Sequence, residues 1–374
     1  MDDHIVVVEE IMRLKPFFLF LISFVFIVSC NLLQPRQTVR AEKFPLAESW
    51  SFVSDVPIYS LAVLDDWIAV SQKNGVTALD PKTGQSLWKL DFPLNKGSSL
   101  FVSEGYLIAA EKNQIDVIDK TGKLVSKVDL ALAEESERIE AVYSDYIFVR
   151  RFPSWNLEVY NMWTGQMVWN LEVLRANVSV SYDPSTGIVY ITTTSFICAR
   201  EIATGNEVWR IDKVTRTGIL DAGTLYYYQE LATFTGVISA IDAQNPDNTW
   251  NAEILIKNSD TYNMMIFDDT LIASTDSGLI ALNKKDGREL WKSETNESFY
   301  GKPILINNVL YARGTSSRII YAISPENGRY LGFLHLGNPS MGSITFYKEY
   351  DIVYKFGDLL IFPFEKTVYA FQAH

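Results

Sequence analysis

The sequence is poor in the side chains that bind metals and form cross-links. Its 374 residues include two cysteines, Cys30 and Cys198, and three histidines, His4, His335 and His374. None of these falls at metal-ligand spacing, which excludes a structural zinc module. A disulfide framework is excluded if Cys30 is modified, because Cys198 then has no partner in the chain. Positive charge is also short. Lys and Arg number 33 against 45 Asp and Glu, for a net charge of −12. Sequence-independent nucleic-acid binding needs a basic footprint, so that class is excluded, and a broad electrostatic grip on anionic lipid is disfavoured. No G-x-S-x-G elbow, phosphate loop or H-E-x-x-H motif occurs, which removes the usual hydrolase and nucleotide-binding signatures.

Long apolar runs are missing as well. The run from Phe17 to Val28 is broken only by Ser23. As a helix it would reach about 18 Å, against roughly 30 Å of bilayer hydrocarbon. It has the length of a signal-peptide core, and Arg13 and Lys15 precede it. It ends in Ile27-Val28-Ser29-Cys30, which resembles the lipobox of bacterial lipoproteins. That resemblance implies cleavage before Cys30 and acylation of its thiol. Residues 1–29 are thus expected to be a signal peptide. Asp2, Asp3, Glu9 and Glu10 are acidic where such a signal is basic, which marks Met12 as the expected start. Residues 30–48 then form the lipidated Cys and a tether, since they hold Pro35 and Pro45 and lack strand alternation. Several acyl chains would anchor stably, whereas one is marginal.

What the chain does have is a repeat. Ala78-Leu79-Asp80 leads through Thr83-Gly84 to Trp88, and Ala281-Leu282-Asn283 leads through Asp286-Gly287 to Trp291. Ala240-Ile241-Asp242 reaches Trp250 at the same spacing, with Pro246 where the turn glycine should be. Eight alternating apolar segments precede such turns: 75–80, 114–119, 156–161, 196–201, 237–242, 278–283, 319–324 and 367–372. Most steps are near 40 residues, enough for four short strands with turns. The expected fold is therefore all-β: an eight-bladed β-propeller with four-stranded antiparallel blades over residues 49–374. No outer strand follows the eighth segment. Trp50-Ser51-Phe52-Val53 resembles Trp88-Lys89-Leu90-Asp91 and is expected to supply it, closing the ring from the N-terminal side.

In each turn the Asp or Asn can bond back to backbone, and the Gly permits positive φ. The Trp offers a large apolar area with one N–H donor, suited to packing between neighbouring blades. Trp88, Trp169, Trp209, Trp250 and Trp291 hold this position, so their expected role is structural. Ser126 and Gly332 replace it in the second and seventh blades.

The pattern Ala-x-Asp-x-x-Thr-Gly-x-x-x-Trp resembles the tryptophan-docking repeat of the PQQ-like (quinoprotein-type) β-propellers, over Ser49 to Ala373. Quinoprotein dehydrogenases of that group bind pyrroloquinoline quinone and Ca²⁺, usually against a disulfide of adjacent cysteines and beside an Asp base. Here Cys198 stands alone, and loop carboxylates such as Asp276, Glu294 and Glu297 carry no mark of a base or calcium ligand. No cofactor, no metal site and no catalytic residue is expected. A lipid-anchored, eight-bladed propeller of this length also resembles the accessory lipoproteins of the outer-membrane β-barrel assembly machinery. That implies an exported, membrane-anchored, non-catalytic scaffold, expected as a monomer, whose partner is another envelope protein or a cell-surface polymer. The alternatives left open are a small quinoprotein and a ligand-sensing propeller.

One loop stands out for partner binding: Arg150-Arg151-Phe152-Pro153-Ser154-Trp155. Arg and aromatic side chains are enriched at binding hot spots. Arg150, Arg151 and Trp155 are the candidate partner-binding residues. Arg138, Arg175, Arg216, Phe234, Arg313 and Arg318 are expected on the same face. Glu134, Glu135, Glu137 and Glu230 could neutralise it.

Overall fold

Alternation of apolar and polar residues, broken by Asp, Asn and Gly turns, dictates short antiparallel strands. In a computed structural model of the protein these form eight four-stranded sheets. The structure describes residues 46–373 apart from 93, 95–98, 112–113, 131–136, 153, 174–176, 214, 216, 233–234, 247, 256–262, 276–277, 294–298, 315–318, 336–352 and 365. The expected signal peptide, Cys30 and residues 31–45 of the tether lie outside the described residues.

Seven blades are simple meanders: Ile58–Asp91, Ser99–Asp129, Glu137–Glu172, Ser179–Ile211, Thr217–Leu255, Met264–Lys292 and Phe299–His335. The eighth takes three strands from Tyr354–Gln372 and its outer strand from Ala47–Val53. Trp50 lies opposite Ala370 and Phe52 opposite Val368 in that pairing. The closing strand starts at Ala47, so it takes up the last two residues of the expected tether. The first strands of successive blades touch one another all the way round, blade 8 returning to blade 1, which places them innermost.

Burial follows that radial order. In blade 1 the second and third strands, Ile68–Gln72 and Gly75–Leu79, are buried throughout, being covered on both faces by other blades. The outer strand Ser86–Asp91 is exposed or half-buried at every position. Each core cluster straddles two blades. Phe148, Leu157 and Trp169 of blade 3, for example, pack with Val189, Ile191 and Cys198 of blade 4.

The tryptophans fix these interfaces. In each case the indole Nε1 donates to a backbone carbonyl in the turn of the next blade: Trp88 to Lys120 at 3.0 Å, Trp169 to Ile202 at 2.8 Å, Trp209 to Ala243 at 2.9 Å, Trp250 to Lys284 at 2.9 Å and Trp291 to Pro325 at 2.7 Å. Trp50 of the closing strand makes the same bond to Pro81, at 2.9 Å, so it is a sixth member of the series. The turn glycine proves to have a second duty. Gly205 has the expected left-handed backbone, φ +73°, but a Cβ there would also stand 2.7 Å from Trp169 Cδ2. Glycine is needed for its conformation and for the ring that lies on it.

The two blades without the Trp are filled differently. In blade 2 the side chain of Val128 covers the turn glycine of blade 3, Gly165. Between blades 7 and 8, Phe362 and Phe371 stack with centroids 5.7 Å apart and planes 4° from parallel. Tyr311 and Ile320 of blade 7 pack into the same cluster.

Candidate functional site

The loop over residues 152–155 joins Tyr146–Arg151 to Asn156–Asn161, the second and third strands of blade 3. In a four-stranded meander this connection shares an end of the propeller with the blade-to-blade connections. The unusual loop therefore sits on the face where the expected site was placed.

Arg150 faces inward near the end of its strand and is only 8% exposed. Its Nε lies 2.7 Å from Glu140 Oε1. Glu140 reaches it because the first strand bulges there: Ile139 pairs with Val149 and Ala141 with Phe148, leaving Glu140 as the extra residue. Burial lowers the Arg150 pKa, Glu140 opposes that, and the nearby Arg138 lowers it further. The guanidinium nonetheless stays charged at neutral pH. Removing one partner of such a buried pair costs roughly 3–5 kcal/mol, because the other charge is left without compensation.

Arg151 is held separately. Its Nε bonds to Glu158, and its Nη2 donates to the Tyr160 hydroxyl at 2.6 Å. Burial alone would lower the Arg151 pKa, but the bonds to Glu158 and Tyr160 outweigh it and raise the value. Tyr160 is pushed up to about 12 by burial and by its bond to Glu158, so the phenol remains protonated.

Arg150 thus underlies the half-buried loop aromatics, while the Arg151 side chain is bonded within its own sheet. Arg150 Cζ lies 4.7 Å from the Phe152 ring centroid, and Phe152 meets Trp155 edge-on with centroids 4.7 Å apart. Trp155 has φ +57°, a left-handed backbone for a bulky residue. Its N–H donates to Arg151 O at 3.0 Å, and its carbonyl accepts from Val173 N–H at 2.9 Å. Such a conformation costs on the order of 1–3 kcal/mol and persists only where its surroundings impose it.

Of the expected neighbours, Arg138 stands in register with Arg150, and its Nε is 3.7 Å from Glu140. Its side chain is 56% exposed. Arg313 is buried in the second strand of blade 7. Arg175, Arg216, Phe234, Arg318, Glu134 and Glu135 lie outside the described residues, as do the side chains of Glu137 and Glu230. The structure therefore brings together Arg138, Arg150, Arg151, Phe152 and Trp155. Sequence reading missed Glu140, Glu158 and Tyr160. The alternation of Asn156–Asn161 could have placed Glu158 and Tyr160 on one face, but the bulge at Glu140 has no local signature.

Among the described residues, no group of three or more His, Cys, Asp and Glu is disposed to hold a metal ion. Also among them, no helix is long and apolar enough to cross a membrane. Cys198 is buried in the third strand of blade 4. Burial pushes its thiol up to about 11, far from nucleophilic activation.

The family model described as "Outer membrane protein assembly factor BamB" matches residues 47–252 and 234–331. No curated protein sequence matches the chain. Among solved structures, the computationally designed Ika8 protein superposes with a TM-score of 0.66 at 16% identity, over 87% of this chain and 99% of that one. BamB from Moraxella catarrhalis gives 0.63 at 16% identity, over 88% and 98% of the two chains. Quinohemoprotein alcohol dehydrogenase ADHIIG from Pseudomonas putida HK5 gives 0.61 at 14% identity, over 87% and 76%. At these identities the structural likenesses establish the propeller fold alone.

Proposed function

Since the chain belongs to the family of the outer membrane protein assembly factor BamB, we propose that it is a non-catalytic scaffold of the bacterial cell envelope. It would be anchored in a membrane through Cys30 and would hold another envelope protein on its propeller during outer-membrane protein assembly. The anchor rests on Arg13, Lys15, the apolar run and Ile27-Val28-Ser29-Cys30. The partner surface is the blade 3 corner. One observation carries that assignment: Trp155 is kept in a strained left-handed conformation, packed on Phe152, whose ring in turn lies on the Glu140-paired Arg150. Strain of this kind clusters where a side chain must be presented in one geometry. On this reading Phe152 and Trp155 touch the partner, while Arg150 positions them.

The test is affinity capture of the full-length, membrane-extracted chain after mild crosslinking, comparing the wild type with Trp155→Gly. Glycine suits φ +57°, so the variant should lose only the stability of the Phe152 contact. The expected result is enrichment of a β-barrel assembly protein with the wild type and its loss with the variant. Capture that Trp155→Gly leaves unchanged would remove the blade 3 corner from the interface. A wild type that brings down wall or transport components would retain the scaffold but change the process.

A further inference from the structure

Blade 3 departs from the other blades at its opposite end too. In the turn between third and outer strands, where other blades carry Lys82, Ala203, Gln244, Lys285 or Glu326, it has Trp163. At 38%, Trp163 is the most exposed aromatic residue among the described residues. Its Nε1 donates to Asp145 Oδ1 at 2.7 Å. The edge of Tyr106, from blade 2, meets its ring with centroids 5.4 Å apart. Tyr106 follows the turn that exposes Glu104. On the blade 4 side, Tyr182 lies against Tyr143, centroids 5.6 Å apart, and Asp183 ends the same strand. Tyr143 in turn donates to Val180 O at 2.9 Å, locking blade 3 to blade 4 beneath the patch.

Three blades therefore bring Tyr106, Trp163 and Tyr182 together with Glu104, Asp145 and Asp183. Ser103 Oγ donates to Ser144 O at 3.0 Å, which sets the Glu104 turn beside the Asp145 turn, and Tyr143, two residues before Asp145, carries Tyr182 on its ring. Burial and then the charges of Glu104 and Asp183 raise the Tyr182 pKa, which keeps its hydroxyl a donor. Asp183 is kept ionised by hydrogen bonds from Ser185 and Thr186. Among the described residues no Lys or Arg forms a salt bridge with Glu104, Asp145 or Asp183. Aromatic faces with uncompensated carboxylates at their rims attract cations twice, through the ring quadrupole and through charge. An aromatic platform alone would equally suit a sugar ring. The three carboxylates, which have no salt-bridge partner among the described residues, decide for a cation.

We infer that this patch docks a basic, extended protein segment, whose Arg or Lys side chains lie over Trp163 and Tyr182 and pair with Asp145, Glu104 and Asp183. It lies at the end of the ring away from Trp155, so it would serve a second partner and does not rest on the assignment made for that corner.

The experiment is fluorescence anisotropy with the full chain in non-ionic detergent. The probe is a labelled Gly-Arg-Gly-Arg-Gly-Arg-Gly peptide, with the Gln-for-Arg peptide as control and chitohexaose as competitor. The Arg peptide should bind, more weakly as salt rises. Trp163→Leu and the pair Glu104→Gln/Asp145→Asn should each weaken it at least about fivefold. Trp155→Gly should not. The amide oxygen introduced by Asp145→Asn can still accept the Trp163 N–H, and Glu104 and Asp145 are exposed. The charge pair therefore tests the surface even if Trp163→Leu unfolds. Equal binding of the Gln peptide, displacement by chitohexaose, or wild-type affinity in the charge pair overturns the inference.

Discussion

Ala in place of Gly205 should unfold the protein more easily than Ala in place of Gly187, although both glycines have left-handed backbones, φ +73° and +70°. Around Gly187 a Cβ would meet nothing within 4 Å. Gly187→Ala should therefore cost only the conformational penalty, about 1 kcal/mol. At Gly205 the same methyl would collide with the Trp169 ring. That ring is 8% exposed, lies edge-on to Phe148 at 5.9 Å and donates to Ile202 O. Displacing it breaks the bond and leaves a buried carbonyl unsatisfied, worth a further ~1–3 kcal/mol. Gly205→Ala should thus cost about 3 kcal/mol in all. Trp169→Ala should cost roughly 3–5 kcal/mol through lost burial and the cavity. In the double variant the collision is gone, so adding Gly205→Ala should cost only ~1 kcal/mol more and the cycle should be non-additive by ~2 kcal/mol. Urea unfolding followed by far-ultraviolet circular dichroism gives all four values without depending on indole fluorescence. Equal midpoints for Gly205→Ala and Gly187→Ala, or an additive double variant, would refute the docking of Trp169 on the next blade's turn.

Two further outcomes follow from the same geometry. Deleting residues 47–53 removes the strand paired with Thr367–Gln372 and the Trp50–Pro81 bond, so the melting temperature should fall sharply, while deleting 31–44 should leave it nearly unchanged; equal melting temperatures would contradict closure by this strand. Asp116 is buried, Gln114 donates to its Oδ2 at 2.7 Å, and its Oδ1 has no hydrogen-bond partner among the described residues. Burial raises its pKa above the ordinary carboxylate value, so the folded state binds the proton more tightly than the unfolded chain, and this group's contribution to stability falls as pH rises through that window. Asp116→Asn should therefore melt higher than the wild type at pH 7, with the difference shrinking as pH approaches about 4; a difference independent of pH would rule out the charge as its cause.

Much of the architecture was legible because a propeller blade is a local object. Segments such as 75–80 and 278–283 carry their own alternation and turn residues, and the spacing between them counts the blades. Closure could be read from Trp50-Ser51-Phe52-Val53 because it repeats the outer-strand phrase that the eighth segment lacks. The family resemblance rested on the same residues, and the match over 47–252 and 234–331 agrees with it.

The sequence by itself determined the strand alternation, the turn chemistry, the number of blades and the strand that closes them. The first three are set by hydrogen bonds and side-chain alternation within some forty residues, and the closing strand is legible from its own outer-strand phrase, although its pairing joins Ala47–Val53 to Thr367–Gln372 across the chain. The tertiary structure alone decided what each conspicuous side chain meets. The tryptophan bonds reach carbonyls 31 to 34 residues away, in a different blade. Arg150 reads as a surface charge in its loop, yet a one-residue bulge brings Glu140 to it and both are buried. Trp163 reads as one turn residue among many, and only the packing of blade 2 against blade 3 sets its ring against Tyr106. Neighbouring blades meet face to face with no covalent register between their side chains, so packing and charge, rather than chain order, select these partners.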